Sequence, residues 1–246
     1  MDFKLACLTD IGKKRKNNED MGYVSKNSHA TLLLVCDGMG GHKKGEIASK
    51  LIVDSISNDF KKRKIGFNPV SVKKFSKIVL KKANKTVHKK SLENNEFREM
   101  GSTAVMAIVI KDITFISSVG DSRCYSFSKT KGLKIRTNDQ TYVEFLYETG
   151  RITKEEKALH PQKNLLLNAV GINPDLSNIQ TRTIKNNDYS ALLLCSDGLY
   201  NMISEEEMTE ILSNDSLSTN DKAKTMINLA LSHGGSDNIT VALMEK

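Results

Sequence analysis

Proline is rare in this chain, three residues in 246, and glycine amounts to fifteen. Neither a collagen repeat nor a proline-rich disordered chain is built from such a composition. Long apolar runs are missing too. The longest, such as Thr31 to Cys36 and Ala191 to Cys195, fall far short of the roughly 20 residues that a membrane helix needs. Met1-Asp2-Phe3-Lys4 does not begin the apolar stretch of a signal peptide. A soluble cytoplasmic protein with no membrane partner is the expectation. The four cysteines, Cys7, Cys36, Cys124 and Cys195, stand singly in apolar runs with no C-x-x-C spacing. That argues against a zinc knuckle and a disulfide framework, and for small buried hydrophobes in a reducing compartment. With 39% hydrophobic residues, a domain of this length buries roughly three quarters of its unfolded surface. It needs no metal or disulfide to fold, so any metal is free to be catalytic. No Pro/Ser-rich linker divides the chain, and one domain over 1–246 is expected.

The formal charge is +8, which raises the question of nucleic acid. Much of the excess lies between Lys61 and Lys90, where Val72, Phe75, Val79, Ala83 and Thr86 recur at three- and four-residue spacing. That predicts a helix with one apolar stripe and lysines over the rest of its surface. Without interleaved aromatics or a helix-turn-helix signature, a solvated face is the better reading and no nucleic-acid partner is expected.

Strands are predicted at Phe3 to Thr9, Met21 to Ser25 and Thr31 to Cys36, the third apolar on both faces like an inner strand. Helices follow at about Gly45 to Phe60 and Val70 to Leu92. Four short β-rich runs, from Thr103 to Arg136, have turn residues between them and read as antiparallel hairpins. From about Thr141 to Pro174 the pattern suits a short helix plus an irregular excursion, and excursions of this length are often functional. Further strands near Ile179 to Ile184, Ser190 to Cys195 and Asn238 to Met244, with helices at Ser204 to Leu212 and Thr219 to Ser232, complete the pattern. This is not the alternation of a parallel sheet. Two packed antiparallel sheets with helices outside fit better, an α+β architecture.

The chemistry lies in the aspartates. Leu32-Leu33-Leu34-Val35-Cys36-Asp37-Gly38 and Leu192-Leu193-Leu194-Cys195-Ser196-Asp197-Gly198 are near copies, each a buried strand ending in a carboxylate and a glycine. Gly120-Asp121-Ser122-Arg123 and Gly234-Gly235-Ser236-Asp237-Asn238 share the style. One Asp-Gly pair is an ordinary turn; four acids at the margins of apolar strands point to a shared site. Clustered carboxylates near a core repel one another and are costly to desolvate unless cations neutralise them. Hard divalent ions such as Mg²⁺ or Mn²⁺ suit such oxygens. The EF-hand spacing and the Walker A loop are both absent.

Arg15-Lys16-Asn17-Asn18-Glu19-Asp20, Asp37-Gly38-Met39-Gly40-Gly41-His42, Gly101-Ser102-Thr103-Ala104, Gly120-Asp121-Ser122-Arg123, Ser196-Asp197-Gly198-Leu199 and Gly235-Ser236-Asp237-Asn238-Ile239-Thr240 resemble, in order, the motif series of the bacterial protein phosphatase 2C family. The resemblance spans nearly the whole chain. It implies a four-layer α-β-β-α sandwich and a metal-dependent serine/threonine protein phosphatase. Asp37 would bridge two Mn²⁺ or Mg²⁺ ions, Asp197 and Asp237 would complete one, and the Gly38 carbonyl would serve the other. Glu19 and Asp20 would hold metal-bound waters, and Asp121 with Asp197 would take a third, weaker ion. Arg15 matches the phosphate-binding arginine, a role suited to guanidinium geometry. His42 matches the general acid for the departing serine or threonine oxygen. The nucleophile would be hydroxide between the metals, so Ser102 and Thr103 belong to the scaffold. His160, before Pro161, resembles a structural His-Pro pair beside a flap at about 141–174.

The resemblance also implies phosphorylated proteins as partners, a cognate Ser/Thr kinase among them, and a monomeric chain. Two positions depart from the family pattern: Asp139-Gln140-Thr141 stands where Asp-His-Ser is usual, and Asn168 where arginine is. The alternatives are a silent phosphoprotein-binding module and a basic nucleic-acid binder. The first would be favoured by loss of Asp37, Asp197 or Asp237, and all three are present.

Overall fold

The computed structural model describes residues 3–40, 43–62 and 69–246. In chain order the strands are β1 (Lys4–Asp10), β2 (Asp20–Lys26), β3 (Thr31–Met39), β4 (Gly101–Ser102), β5 (Ala104–Val109), β6 (Ile113–Val119), β7 (Arg123–Ser128), β8 (Gly132–Ile135), β9 (Gln180–Lys185), β10 (Ala191–Cys195) and β11 (Ile239–Glu245). The helices are α1 (Lys43–Lys62), α2 (Pro69–Ser91), α3 (Tyr142–Glu148), α4 (Lys154–Leu159), α5 (Asp197–Tyr200), α6 (Glu205–Ser213) and α7 (Thr219–Ser232). One sheet runs β1-β11-β10-β7-β8 and the other β2-β3-β5-β6-β9, with β4 on the end of β3. The pairings in both are antiparallel.

Period-2 alternation in the inner strands builds three apolar layers. Along β3, Leu32, Leu34 and Cys36 pack with Ile52, Ile56, Val79 and Leu80 of α1 and α2. Leu33 and Val35 point the other way, to a middle layer with Leu192, Leu194 and Ala242 of the opposite sheet. Ala191, Leu193 and Cys195 of β10 face a third layer with α6 and α7, through Met208, Ala223 and Met226. The expected α+β sandwich is therefore present. Cys36, Cys124 and Cys195 are buried and Cys7 is half-buried, all as free thiols. Among the described residues, no helix is long and apolar enough to cross a membrane.

Three details differ from the sequence reading. Thr86 is exposed and its hydroxyl turns back to the Lys82 carbonyl, so Val87, fully buried, continues the apolar stripe of α2. The four β-rich runs are two hairpins, β5–β6 and β7–β8, in different sheets. The link between them, 120–122, is a crossing from one sheet to the other: Gly120 adopts φ +93, and a Cβ there would lie 2.7 Å from the Thr103 side chain. The 141–174 excursion holds two short helices, not one. Thr141 caps α3, and Thr153 with Glu156 forms a capping box on α4.

Candidate active site

The alternation that fills the middle layer also places the acids. On β3 the series Leu33, Val35 continues to Asp37, so this carboxylate extends the inter-sheet face beyond the apolar core. Asp20 stands opposite Asp37 in the β2–β3 register, and paired strand residues share a face. Asp121 lies in the crossing between sheets, Asp197 opens α5 directly after β10, and Asp237 precedes β11. Arg15, Asp37, Gly38, Asp121, Asp197 and Asp237 line one cleft of about 250 Å³, and Glu19 joins them on its wall. Six of the expected metal-site or phosphate-binding residues thus share a cleft with Glu19. Asp20 lies just behind it, buried, and His42, together with Gly41, falls outside the described residues.

Close packing explains the glycine after Asp37. A Cβ on Gly38 would meet the Gly45 carbonyl oxygen at 2.2 Å and the Glu19 carbonyl oxygen at 2.6 Å. The start of α1 and the Glu19 strand entry press against β3 here, and the Gly38 amide donates to the Glu19 carbonyl at 3.1 Å. Thr103 and Ser102 are scaffold, as expected. The Asp37 amide donates to Thr103 Oγ1 at 3.0 Å, and Ser102 Oγ donates to the Asp37 carbonyl at 2.8 Å.

Burial first, and then mutual repulsion, raises the proton affinities of the acids. Burial, followed by the charges of Asp20 and Asp197, pushes Asp37 well above the usual carboxylate range. Burial is also the main cause for Asp20 and Asp121, each pushed up to about 7, and for Asp197, pushed up to about 6. Arg15 Nη2 donates to Asp237 Oδ2 at 2.7 Å and Asn201 Nδ2 to Asp197 Oδ2 at 3.1 Å. Among the described residues, no three His, Cys, Asp or Glu side chains close around one point as a ready cation cage. The donor set still fits hard divalent cations: several carboxylates crowd one cleft, they resist ionisation together, and Asp20 Oδ1 is buried with no hydrogen-bond partner.

Two residues that hold the site were not assigned roles from sequence. Asn238 is a clasp: its Nδ2 donates to the Ile11 and Asn17 carbonyls at 2.8 and 2.9 Å, and its Oδ1 accepts from the Glu19 amide at 2.8 Å. It thereby fixes the loop that carries Arg15 and Glu19. Tyr200 donates to the Asp121 carbonyl at 3.1 Å, and the Arg123 guanidinium lies 3.6 Å from its ring centre while pairing with Asp139. Asn238 had a signal in its place beside Asp237; Tyr200 had none.

A sandwich of two antiparallel sheets with an acid-lined cleft at one edge of its middle layer is the fold and site of a metal-dependent protein phosphatase. The family profile for protein phosphatase 2C matches residues 12–232, and the chain belongs to that family. A serine/threonine phosphatase, stp, of Listeria welshimeri is 37% identical over 239 residues, covering 97% of this chain and 94% of the relative. The crystal structure of the serine/threonine phosphatase Stp1 from Staphylococcus aureus superposes with a TM-score of 0.93 at 32% identity, covering 100% of this chain and 96% of that one. The catalytic domain of the phosphatase PstP, solved with two manganese ions, gives a TM-score of 0.84 at 28% identity over 99% of this chain and 97% of its own. The protein is accordingly a metal-dependent protein serine/threonine phosphatase.

Proposed function

We propose that one domain, residues 1–246 with a flap at about 141–174, dephosphorylates phosphoserine and phosphothreonine in the cleft between the sheets. Asp37 would be shared by two ions, Asp197 and Asp237 would complete one of them, and the Gly38 carbonyl would serve the other. Either Mn²⁺ or Mg²⁺ suits these oxygens, and Asp121 with Asp197 offers a weaker third position. Bound ions supply a water of lowered pKa and a clamp on phosphoryl oxygens. The chain's own residues supply the rest. Arg15, exposed at the rim and held toward Asp237, would turn its planar fork to the phosphoryl oxygens and orient the group for in-line attack. Glu19 and Asp20 would hold the waters around the ions. His42 would give a proton to the departing alkoxide. Phosphorylated proteins are the substrates of this reading, a Ser/Thr kinase among them, and the chain would act as a cytoplasmic monomer.

The observation that carries this proposal is the gathering of Arg15, Asp37, Asp121, Asp197 and Asp237 in one cleft from five separate segments of chain. Hydrolysis of a phosphothreonine peptide with Mn²⁺, with Mg²⁺ and with EDTA, in wild type and Asp37→Asn, tests it. Turnover should require the metal and fall at least about a hundredfold in the variant. His42→Asn should slow the phosphothreonine peptide far more than an aryl phosphate, whose leaving group needs no proton. Equal slowing of both would remove the general-acid role.

A further inference from the structure

A second cavity, of about 310 Å³, adjoins the catalytic cleft and shares Asp121, Asn164 and Asp197 with it. The two cavities differ in charge along their length. The shared wall is acidic, whereas the outer wall is formed by α4 and the loop after it and carries Lys154, Lys157 and Lys163. Arg123 also lines it but is held by Asp139 at 2.7 Å and stacked on Tyr200, and Lys157 is held by Glu144. Lys154 and Lys163 are exposed and make no ion pair or side-chain hydrogen bond among the described residues. The acid next to Lys154 is Glu155, fully exposed, whose carboxyl is held below its usual range chiefly by its own amide and Thr153, with Lys154 a smaller contributor. Two uncommitted ammonium groups therefore stand at the rim of a cavity large enough for a side chain or two, one wall away from the catalytic acids.

We infer that this cavity is a substrate subsite that receives an anionic side chain flanking the phosphorylated residue, read by Lys154 and Lys163. The inference rests on the phosphatase reading, because the cavity's position matters only if the phosphate occupies the neighbouring cleft. The ligand chemistry is a carboxylate or a second phosphate on the same peptide. A dianionic phosphate should gain more from two ammonium groups than a carboxylate does. Exposed pairs of this kind are worth little singly, so selectivity of roughly threefold to tenfold in kcat/KM is expected, weakening as salt shortens the screening length.

The test compares phosphothreonine peptides that carry Glu, phosphoserine, Gln or Lys at one flanking position at a time, with Mn²⁺-loaded protein at low and high salt. Para-nitrophenyl phosphate, which has no flank, reads the basal chemistry. The acidic peptides should be preferred at a subset of positions, through KM more than kcat. The double variant Lys154→Glu, Lys163→Glu should reverse the preference toward Lys while hydrolysing the aryl phosphate as wild type does. A flank-blind wild type, or a preference that survives the double variant, overturns the subsite. Should wild type hydrolyse neither peptide nor aryl phosphate, the phosphatase reading has failed separately. Fluorescence anisotropy on the same peptides then decides, with charge-selective binding supporting the subsite and flank-blind binding rejecting it.

Discussion

The Ser196 hydroxyl donates to Asp20 Oδ2 at 2.6 Å, tying the residue after β10 in one sheet to the first residue of β2 in the other. Both side chains are buried, and Ser196 Oγ also accepts from the Thr240 amide at 3.0 Å. Ser196→Ala would strand an amide and remove the donor from a carboxylate whose other oxygen already lacks a partner. Leaving buried polar groups unpaired costs about 1–3 kcal/mol each. Urea unfolding should show a loss of that order, and an unchanged midpoint would mean that the hydroxyl is not a structural tie.

The acid cluster sets a direction for pH. Asp20 and Asp121 are pushed up to about 7 and Asp197 to about 6, burial being the main cause in each case. An unfolded chain releases these protons near pH 4. Between those values the folded state holds more protons than the unfolded state, so stability falls as pH rises. Glu155, Asp188 and Asp215 are shifted the opposite way, but they are fully exposed and weigh little. In EDTA, the melting temperature should therefore decline from about pH 5 to about pH 8. Saturating Mn²⁺ should raise it most at the alkaline end, since cations compete with protons for the same oxygens. A melting curve in EDTA that improves with pH across this window would contradict the cluster's dominance.

The two departures from the family pattern meet in space. Asn168 Nδ2 donates to Gln140 Oε1 at 3.0 Å, the same oxygen accepts from the Gly120 amide at 2.9 Å, and Gln140 Nε2 donates to the Asn178 carbonyl at 2.8 Å. Gln140 thus fixes the backbone one residue before Asp121, and Asn168 braces it from the 141–174 excursion. Gln140→Ala and Asn168→Ala should each destabilise, with a coupling in the double variant of about 0.5–3 kcal/mol, as expected for contacting partners. Chemical denaturation of the four proteins measures it. Strict additivity would show that the contact carries no energy.

What the sequence makes legible follows its physics. Asp37 and Asp197 stand out because each ends a run whose apolarity on both faces marks an inner strand, and the sheets they imply are the sheets found. Asp20 is readable as acidic but not as the partner of Ser196, since 176 residues separate them. The hairpin signal at 120–122 is a statement about turn chemistry, and turn chemistry does not say which sheet the next strand joins. Gln140 and Asn168 look like unrelated anomalies because periodicity carries no information about contacts between loops. The lysine-lined cavity is hidden for the same reason: Lys154 and Lys163 are ordinary surface residues until α4 is folded against the cleft.

Asn238 offers the sharpest separation of positioning from chemistry. It lines the cleft beside Asp237, and its three side-chain bonds hold the Ile11 to Glu19 loop. Asn238→Asp keeps the acceptor for the Glu19 amide but turns both donations into repulsion between a carboxylate and two carbonyls. Asn238→Ala loses all three bonds without adding charge. If the clasp acts by placing Arg15, both variants should raise KM for a phosphothreonine peptide severalfold. The aryl phosphate, which would rely on the same arginine, should suffer alongside it. Calorimetric Mn²⁺ affinity should fall less than KM rises, because Asp37 is held on β3 and Asp197 at the start of α5, away from this loop. A variant that loses metal affinity and KM in equal measure would instead place Asn238 in support of Asp237, whose Oδ1 accepts from the Asn238 amide at 2.8 Å. The ratio of the two losses therefore says which of its neighbours Asn238 serves.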